Sequence, residues 1–391
     1  MIDYQTFNSF SSPGVYLDLK AFDRNVEKVA TIAKGKNVRV ASKSIRSVNL
    51  IERVLSSHTC FRGILCYNPH ECVFLAEKGF DDLLLAYPTT DREALMKIAN
   101  LFHEEKFITI MIDSISHIEL LHKIAKESSS KFRICLDIDL SLTYFGLHFG
   151  VKRSPLRYTH QVLTLIQEIK KYPTLILDGI MGYEAQIAGV ADKMPGQFIK
   201  NRLITYLKRK SFQDYPRRRQ EIVDALKSEG ISLRFSNGGG TGSLLITREE
   251  EAVTEVAVGS ALYAPHLFDY YRDFRYEPSL FFTSPIVRQP SNNVYTSYSG
   301  GYIASGATGK EKQPLIHLPK GCDLVSLEGA GEVQTPFNNN GDQPLEVGDV
   351  IVFRHSKAGE LAERFTHIQL VENDRVIDSC TTYRGDGYCF H

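Results

Sequence analysis

The stretch RVASKSIRS, residues 39–47, brings a lysine to the end of a predicted β-strand. Apolar residues lead up to Lys43, and small or polar residues follow it directly. Because side chains alternate along a strand, Lys43 shares a face with Arg39 and Ala41. A lysine on the solvated surface needs no such placement. Most single lysines are of this solvated kind. A lysine that bonds covalently to a cofactor does need it, so the rest of the chain decides between the two interpretations.

The same pattern, a short apolar run followed by a helical stretch, occurs eight times. The apolar runs are VRVAS (38–42), GILCY (63–67), LLLAY (83–87), ITIMI (108–112), RICLDID (133–139), LILDGIM (175–181), LRFS (233–236) and EVAVG (255–259). Stretches such as HIELLHKIAKE (117–127) and HQVLTLIQEIKKY (160–172) have apolar residues at helical spacing. Alternating strands and helices favour a parallel sheet, and eight of them over about 240 residues match a closed (β/α)8 barrel. An open doubly wound sheet is the alternative that periodicity leaves open.

After about residue 265 the chain becomes rich in short β segments broken by Gly, Asn and Pro. Three such segments are NVYTSYSGGYIAS (293–305), DLVSLEGAGEVQT (323–335) and DVIVFRH (349–355). We therefore predict an α/β protein, a TIM-type barrel with a C-terminal all-β domain. Its predicted parts are an N-terminal segment (1–19), in which VYLDL (15–19) pairs with the β domain, the barrel (20–265) and the β domain (266–391).

Composition narrows the function classes. The 391 residues include 46 Lys and Arg against 46 Asp and Glu, so the formal net charge is zero and neither nucleic acid nor a membrane surface is favoured as a partner. The basic run PRRRQ (216–220) is interpreted as a solvated helix face. We read no signal peptide in MIDYQTFNSF, and no apolar run approaches the roughly 18 residues of a membrane span. Seven scattered cysteines without a C-x-x-C pair favour a reducing cytoplasm.

Two glycine-containing loops follow the last two apolar runs. They are NGGGTGS (237–243) and GSALYAP (259–265). In barrel enzymes the loops after strands 7 and 8 often hold a phosphate. Consecutive glycines let backbone N–H groups converge on an anion, and Thr241, Ser243 and Ser260 can add hydroxyl donors. A glycine-rich turn without a ligand is the alternative for either loop taken alone.

Lys43 and these loops together point to pyridoxal phosphate, which needs a lysine for an imine and a nest for its phosphate. We expect the phosphate site to face Lys43 across the barrel mouth. Tyr183, in MGYEAQIAG (181–189), then stands at the same rim, where it contacts the cofactor ring, donates a proton or only packs a loop. In FRHSKAGELAERF (353–365), His355 and Lys357 contribute to the site from the β domain, or form a solvated turn before a helix. The excursion at 189–216 has no assigned role.

The stretches SPGVYLDLKAFDRNV and VRVASKSIRS resemble the N-terminal signature of the alanine racemase-like, fold-type III pyridoxal phosphate enzymes. Within them the chain most resembles the D-threonine aldolase and D-serine dehydratase group, in its amino acid deaminase/aldolase subgroup ("amino acid aldolase or racemase"). The subgroup motifs are HFGVKRSPL, MGYEAQIAG, NGGGTGS, GGYIASGATG, GAGEVQTP and FRHSKAGELAERF. The resemblance implies a homodimer, an imine at Lys43 and a cofactor contact at Tyr183. The residues that it matches to phosphate-binding loops are Asn237, Gly239, Gly240, Thr241, Gly242, Ser243, Gly259, Ser260 and Tyr263.

Two departures from the family pattern matter. The resemblance implies a divalent metal on a His-x-Cys or His-x-Asp motif, which makes His355 a candidate metal ligand. Lys357 stands at the position of the second metal ligand, where a protonated lysine repels a cation. Whether a metal binds therefore stays open. The fifth strand is followed by DLSLTYFGLHFG (139–150), without the arginine that the family often has there. Whether Arg153 replaces it stays open at this point.

These features predict a pyridoxal phosphate-dependent lyase for a small β-hydroxy amino acid, of D configuration by family resemblance. The reaction is retro-aldol cleavage or loss of water, with Lys43 as acid or base. His355 or Lys357 serves the other side of the site or holds the substrate carboxylate. The alternatives are an amino acid racemase, a non-catalytic pyridoxal phosphate-binding protein, and an interaction protein that uses PRRRQ.

Overall fold

The computed structural model describes residues 2–307 and 309–390. The strands are β1 (Gly14–Asp18), β2 (Asn37–Ala41), β3 (Phe61–Cys66), β4 (Leu83–Leu85), β5 (Ile108–Ile112), β6 (Phe132–Ile138), β7 (Leu142–Tyr144), β8 (Leu147–Phe149), β9 (Leu175–Gly182), β10 (Phe235–Gly238), β11 (Glu255–Val258), β12 (Leu280–Ser291), β13 (Val294–Ser297), β14 (Leu315–Leu318), β15 (Cys322–Leu324), β16 (Thr335–Asn339), β17 (Val350–Arg354), β18 (His367–Glu372) and β19 (Arg375–Thr381).

The α-helices are α1 (Tyr4–Asn8), α2 (Leu19–Ala33), α3 (Val48–Ser57), α4 (Pro69–Glu77), α5 (Arg92–His103), α6 (Ile115–Glu127), α7 (Thr159–Ile169), α8 (Ala185–Ala188), α9 (Phe198–Ser228), α10 (Leu244–Thr247) and α11 (Ser260–Tyr263). Short 3₁₀ helices lie at Ser42–Ser44, His266–Tyr270, Lys310–Lys312 and Glu360–Glu363.

Eight parallel strands close into a barrel in the order β10-β11-β2-β3-β4-β5-β6-β9. Each of the eight predicted apolar runs overlaps one of these strands, which confirms the (β/α)8 barrel and excludes the open sheet. Strand ends differ from the predicted runs by one or two residues, as in β10, which begins at Phe235 rather than at residue 233.

The helical periodicity explains why the intervening stretches form helices around the barrel. In α6, Ile118, Leu121 and Ile124 recur every three residues and are buried. Ser114 caps this helix, since its side chain accepts a hydrogen bond from the His117 N–H. The strand before it, β5, is buried at all five positions. One apolar helix face therefore covers an apolar strand, as the parallel barrel requires.

The barrel interior combines an apolar cluster with a buried ion network. The apolar cluster consists of Leu84, Ala86, Met111, Cys135, Met181 and Phe235. The Arg39 side chain is fully buried, and its guanidinium lies 2.8 Å from a Glu255 carboxylate oxygen and 3.2 Å from one of Asp82. A charge buried this deeply needs such partners to offset its lost hydration. Arg39 therefore belongs to the barrel core.

The C-terminal strands and β1 form a nine-stranded sheet with the path β15-β16-β13-β12-β1-β18-β19. Strand β17 pairs with β12, and β14 pairs with β17. This confirms the predicted fold class, a barrel with a C-terminal β domain. The strand β1, from the segment VYLDL, pairs antiparallel with β12 and parallel with β18. The N-terminal segment thus lies in the middle of this sheet.

The contacts divide the chain into two compact units. The barrel unit contains Val29–Lys43 and Val54–Val258, together with the C-terminal end from Phe390. The β unit contains the N-terminal segment up to Lys28, Ser44–Arg53 and Gly259–Cys389. The domain boundaries expected from the sequence, 1–19, 20–265 and 266–391, stay a prediction. Over the residues described, none of the helices is both long and apolar enough to span a bilayer.

Candidate active site

Lys43 lies in the 3₁₀ turn that follows β2, and its side chain is exposed. The Nζ atom donates a hydrogen bond of 2.9 Å to the Tyr87 hydroxyl and lies 5.3 Å from the centre of that ring. Burial by itself raises the pKa of Tyr87, but the charge and hydrogen bond of Lys43, together with the Arg153 charge, lower that pKa below its usual value. The strand end thus presents an accessible amine that is held by a phenol. Sequence reasoning missed Tyr87, whose signal was its place at the end of LLLAY.

Tyr183 follows β9 at the same rim of the barrel. Both Tyr183 and Tyr87 pack against the apolar interior cluster. Burial raises the pKa of Tyr183 to about 12, so its phenol keeps its proton at neutral pH. A Cβ built on Gly240 lies 3.1 Å from the Tyr183 ring. The tyrosine therefore packs directly against the glycine loop after β10.

The glycine loop is compact for identifiable steric reasons. A Cβ on Gly242 lies 2.5 Å from the Ala188 carbonyl oxygen, and one on Gly240 lies 3.2 Å from the Ala188 Cβ. Gly239 has φ +86°, a conformation that favours glycine. The N–H groups of Ser243 and Leu244 both donate to the Gly240 carbonyl and close the turn. The loop 239–243, called the glycine cradle below, therefore packs closely on Ala188, and side chains at these glycines would crowd it.

A buried carboxylate holds this cradle from below. Glu184 is 0 % exposed, and one of its oxygens accepts a 2.9 Å hydrogen bond from the Gly239 N–H. The other accepts from the Thr247 hydroxyl and, at 3.3 Å, from the Arg219 guanidinium. Arg219 also pairs with Glu250 at 2.6 Å. The Gly239 N–H is thus committed to Glu184 and positions the loop, a role that sequence reasoning missed.

The interpretation of PRRRQ as a solvated helix face is wrong for two of its three arginines. Arg219 is 1 % exposed and Arg218 is 4 % exposed, whereas Arg217 lies on the surface. The Arg218 guanidinium donates to the carbonyl oxygens of Asp139 at 2.9 Å and Ser141 at 2.7 Å. Arg218 and Arg219 point inward from α9, because they bind buried carbonyl and carboxylate oxygens. These contacts fix loops at the barrel rim.

Asn237 lies inside the barrel. Its side-chain amide donates a 2.8 Å hydrogen bond to the Glu255 carboxylate, and the residue is fully buried. Along the closed barrel only β11 separates β10 from β2. At the usual strand spacing, the glycine loop and Lys43 are therefore about 10 Å apart along the rim. The expected placement across the barrel mouth is wrong, because the strand order brings the two closer together.

The second predicted phosphate loop belongs to the β unit, where it contacts the residues that follow Lys43. The Ser260 hydroxyl lies 3.2 Å from that of Ser44, and the Tyr263 hydroxyl donates a 3.0 Å hydrogen bond to the Ile45 carbonyl. Burial raises the pKa of Tyr263 well above its usual value. Gly259 precedes α11 in the N-cap position. This loop thus fixes the backbone of SKSIRS.

His355 and Lys357 also lie in the β unit. His355 is 3 % exposed, and its ring centre lies 6.3 Å from that of Tyr263. Burial, aided by the neighbouring Arg354 guanidinium, lowers the pKa of His355 to about 3. The Lys357 ammonium donates to the carbonyl and hydroxyl oxygens of Ser305 at 3.0 and 2.9 Å. Across the parts of the chain that are described, no three His, Cys, Asp or Glu side chains are grouped as metal ligands.

A further titratable group sits at the barrel mouth. Asp137 follows the interior residue Cys135 by two positions on β6, so its side chain is on the interior face. Burial raises the pKa of Asp137 to about 7, and the Asp113 charge adds to this effect. The Arg153 charge opposes it and also lowers the pKa of Tyr87. Arg153 thus acts on this part of the site, and Asp137 is a candidate acid or base that sequence reasoning missed.

Comparison with known proteins is consistent with this geometry. The family model of the alanine racemase N-terminal domain matches residues 17–266. The chain belongs to this family. The resemblance to fold-type III pyridoxal phosphate enzymes is thereby confirmed. A curated relative, 3-hydroxy-D-aspartate aldolase of Paracoccus denitrificans (strain Pd 1222), is 25 % identical over 255 residues, which are 65 % of this chain. The aligned part spans 60 % of that relative's length.

Solved structures share the fold of nearly the whole chain. D-threonine aldolase from Filomicrobium marinum has a TM-score of 0.79 at 17 % identity and covers 97 % of this chain and 96 % of its own. D-threo-3-hydroxyaspartate dehydratase from Delftia sp. HT23 has a TM-score of 0.75 at 16 % identity, with coverage of 96 % and 98 %. A variant of this dehydratase is described in a metal-free form. At these identities the likeness establishes the barrel and β-unit fold.

Proposed function

We propose that this chain is a pyridoxal phosphate-dependent lyase that acts on a small D-configured β-hydroxy amino acid, by retro-aldol cleavage or by dehydration. The observation that carries the proposal is the accessible Lys43 amine, hydrogen-bonded to Tyr87 and two strands from the glycine cradle. The aldolase and dehydratase relatives support the reaction class. Neutral composition and scattered free cysteines support a cytoplasmic protein without nucleic acid or membrane as partner. The homodimer is proposed from the family resemblance alone.

The residues present fit the cofactor. The exposed Lys43 amine would hold its aldehyde covalently, and the cradle of Gly240, Thr241, Gly242 and Ser243 would hold its phosphate, with Gly239 positioned by Glu184. Ser260 and Tyr263 support the backbone beside Lys43. When bound, pyridoxal phosphate supplies an electron sink for the negative charge that develops on the substrate.

The side chains at the mouth divide the proton handling between them. Lys43 Nζ donates a 2.9 Å hydrogen bond to Tyr87 Oη, so the phenol would orient the amine when it acts as a base. Tyr183 keeps the proton on its hydroxyl and can donate it. Asp137, with a pKa of about 7, can hold or release a proton near neutral pH. The roles expected for His355 and Lys357 stay a prediction.

A product assay tests the proposal. The purified chain, saturated with pyridoxal phosphate, is offered D- and L-isomers of β-hydroxy amino acids. Retro-aldol cleavage yields an aldehyde and a smaller amino acid, whereas dehydration yields a 2-oxo acid and ammonia. The variant Lys43→Ala should lose at least about 10²-fold in rate. The matched control Lys97→Ala removes an exposed lysine paired with Glu93 and should retain full activity.

The same assay distinguishes the alternatives. Inversion of configuration without cleavage would make the chain a racemase. Bound cofactor without turnover of any isomer would favour the non-catalytic binding protein. A Lys43→Ala variant as active as the wild type would refute the assigned role of Lys43.

A further inference from the structure

The implied divalent metal does not fit the residues of this β unit. The stretch His355-Ser356-Lys357 stands where the family resemblance places a metal-binding motif. The His355 ring is enclosed, and the position that would supply the second ligand carries an ammonium. A hard or borderline cation needs several oxygen, nitrogen or thiolate donors at one point. A lone buried imidazole beside a cation does not supply them.

The oxygens around Lys357 explain what this chain has in place of a metal. The ammonium lies 3.0 Å from the Ser305 carbonyl oxygen, 2.9 Å from the Ser305 hydroxyl and 3.5 Å from a Glu360 carboxylate oxygen. Carbonyl, hydroxyl and carboxylate are the donor types that hard divalent cations use. Lys357 Nζ therefore contacts three oxygens of the donor types that a bound cation would use.

The cluster is closed by its own hydrogen bonds. The Glu360 carboxylate accepts from the Ser305 N–H at 2.8 Å and from the Ser305 hydroxyl. These contacts join the loop before Gly306 to the turn after β17. Burial lowers the pKa of Lys312, and the nearby Lys357 charge lowers it further. A divalent cation entering here would have to displace a tethered ammonium and face a second lysine.

From this geometry we infer that Lys357 is a built-in cation, which organises the loop at 300–307 in place of a divalent metal ion. The β unit therefore neither needs nor binds a divalent ion at this position. The inference goes beyond the proposed function, because it concerns the cation of the β unit and not the cofactor on Lys43. The loop belongs to GGYIASGATG, in which residue 308 lies outside the described residues.

The inference is tested by asking whether a variant at Lys357 gains a metal site that the wild type lacks. The full-length chain, saturated with pyridoxal phosphate, is dialysed against a chelator and then against Mn²⁺. Bound metal is measured by mass spectrometry and Tm by differential scanning fluorimetry. The wild type should retain no stoichiometric Mn²⁺ and show no shift in Tm. The variant Lys357→Asp places a second carboxylate in the cluster, so it should bind about one Mn²⁺ per chain and gain Tm with Mn²⁺ concentration.

Two further variants keep the test decisive. Lys310→Asp makes the same change of charge at an exposed lysine of the same unit, and it should bind no Mn²⁺. Lys357→Met removes the ammonium without adding a ligand, so it should lower Tm and bind no Mn²⁺. One tightly held divalent ion per wild-type chain would overturn the inference, even if Lys357→Asp failed to fold. These readouts do not depend on catalysis, so failure of the proposed function would be seen separately.

Discussion

The substitution Glu184→Gln should loosen the glycine loop. All three groups that contact this buried carboxylate are donors, namely the Gly239 N–H, the Thr247 hydroxyl and the Arg219 guanidinium. A carboxylate accepts from all of them with its two oxygens. A glutamine has only one oxygen, and its NH₂ group would face a donor. At least one buried donor therefore loses its acceptor.

The magnitude follows from these contacts. Breaking a buried ion pair costs about 3–5 kcal/mol, and a hydrogen bond to a charged group contributes about 1.5–3 kcal/mol. Arg219 keeps its second partner, Glu250, at 2.6 Å. The free energy of unfolding should therefore fall by about 2–3 kcal/mol. Release of Gly239 should weaken pyridoxal phosphate binding about 10- to 100-fold, equivalent to about 1.4–2.8 kcal/mol.

Urea unfolding followed by circular dichroism measures the first effect, and a titration of pyridoxal phosphate followed by absorbance measures the second. Glu250→Gln is the matched control. Burial raises the pKa of Glu250 to about 7, so this carboxyl is partly neutral at pH 7 and an amide should replace it at lower cost. No bond from Glu250 to the loop is involved, so affinity should be retained. An unchanged affinity in Glu184→Gln would refute the assignment of the loop to the phosphate.

Three other substitutions test neighbouring parts of the site. Tyr87→Phe removes the 2.9 Å hydrogen bond to Lys43 and should lower kcat by about 10²-fold in steady-state assays, while cofactor labelling of Lys43 persists. Gly242→Ala places a Cβ 2.5 Å from the Ala188 carbonyl oxygen, which should destabilise the loop by about 1–3 kcal/mol. Cofactor binding should therefore weaken in the same titration. The folded state keeps a proton on Asp137 that the unfolded chain releases between pH 3.8 and about 7, so the contribution of Asp137 to stability is lost as pH rises through this range. The Tm of the wild type relative to that of Asp137→Asn should therefore fall over this range, and parallel Tm profiles would contradict the raised pKa.

The barrel was predictable because its signal is local. Each strand is a short apolar run, and each helix repeats apolar residues on one face. The same alternation places Lys43 just beyond β2 and Tyr183 just beyond β9. The glycine loop stood out by its composition and its place after the seventh apolar run, and its tight packing on Ala188 explains that composition.

The missed residues act through contacts that local patterns do not contain. Tyr87 is 44 positions from Lys43 in sequence, and only barrel closure brings the two together. Arg219 belongs to a basic run whose pattern predicts a solvated surface. It is buried because it pairs with Glu184, which follows β9. Asn237 matched a cofactor-binding motif, yet its side chain bonds to Glu255 inside the barrel. The pKa of Asp137 likewise depends on burial that sequence alone does not give.

The central claim is that Lys43 holds an aldehyde cofactor at the barrel mouth. Borohydride reduction of the chain saturated with pyridoxal phosphate, followed by peptide mapping with mass spectrometry, tests this claim most directly. The account predicts a pyridoxyl group on Lys43. An unmodified Lys43, or a pyridoxyl group on other lysines alone, would contradict it.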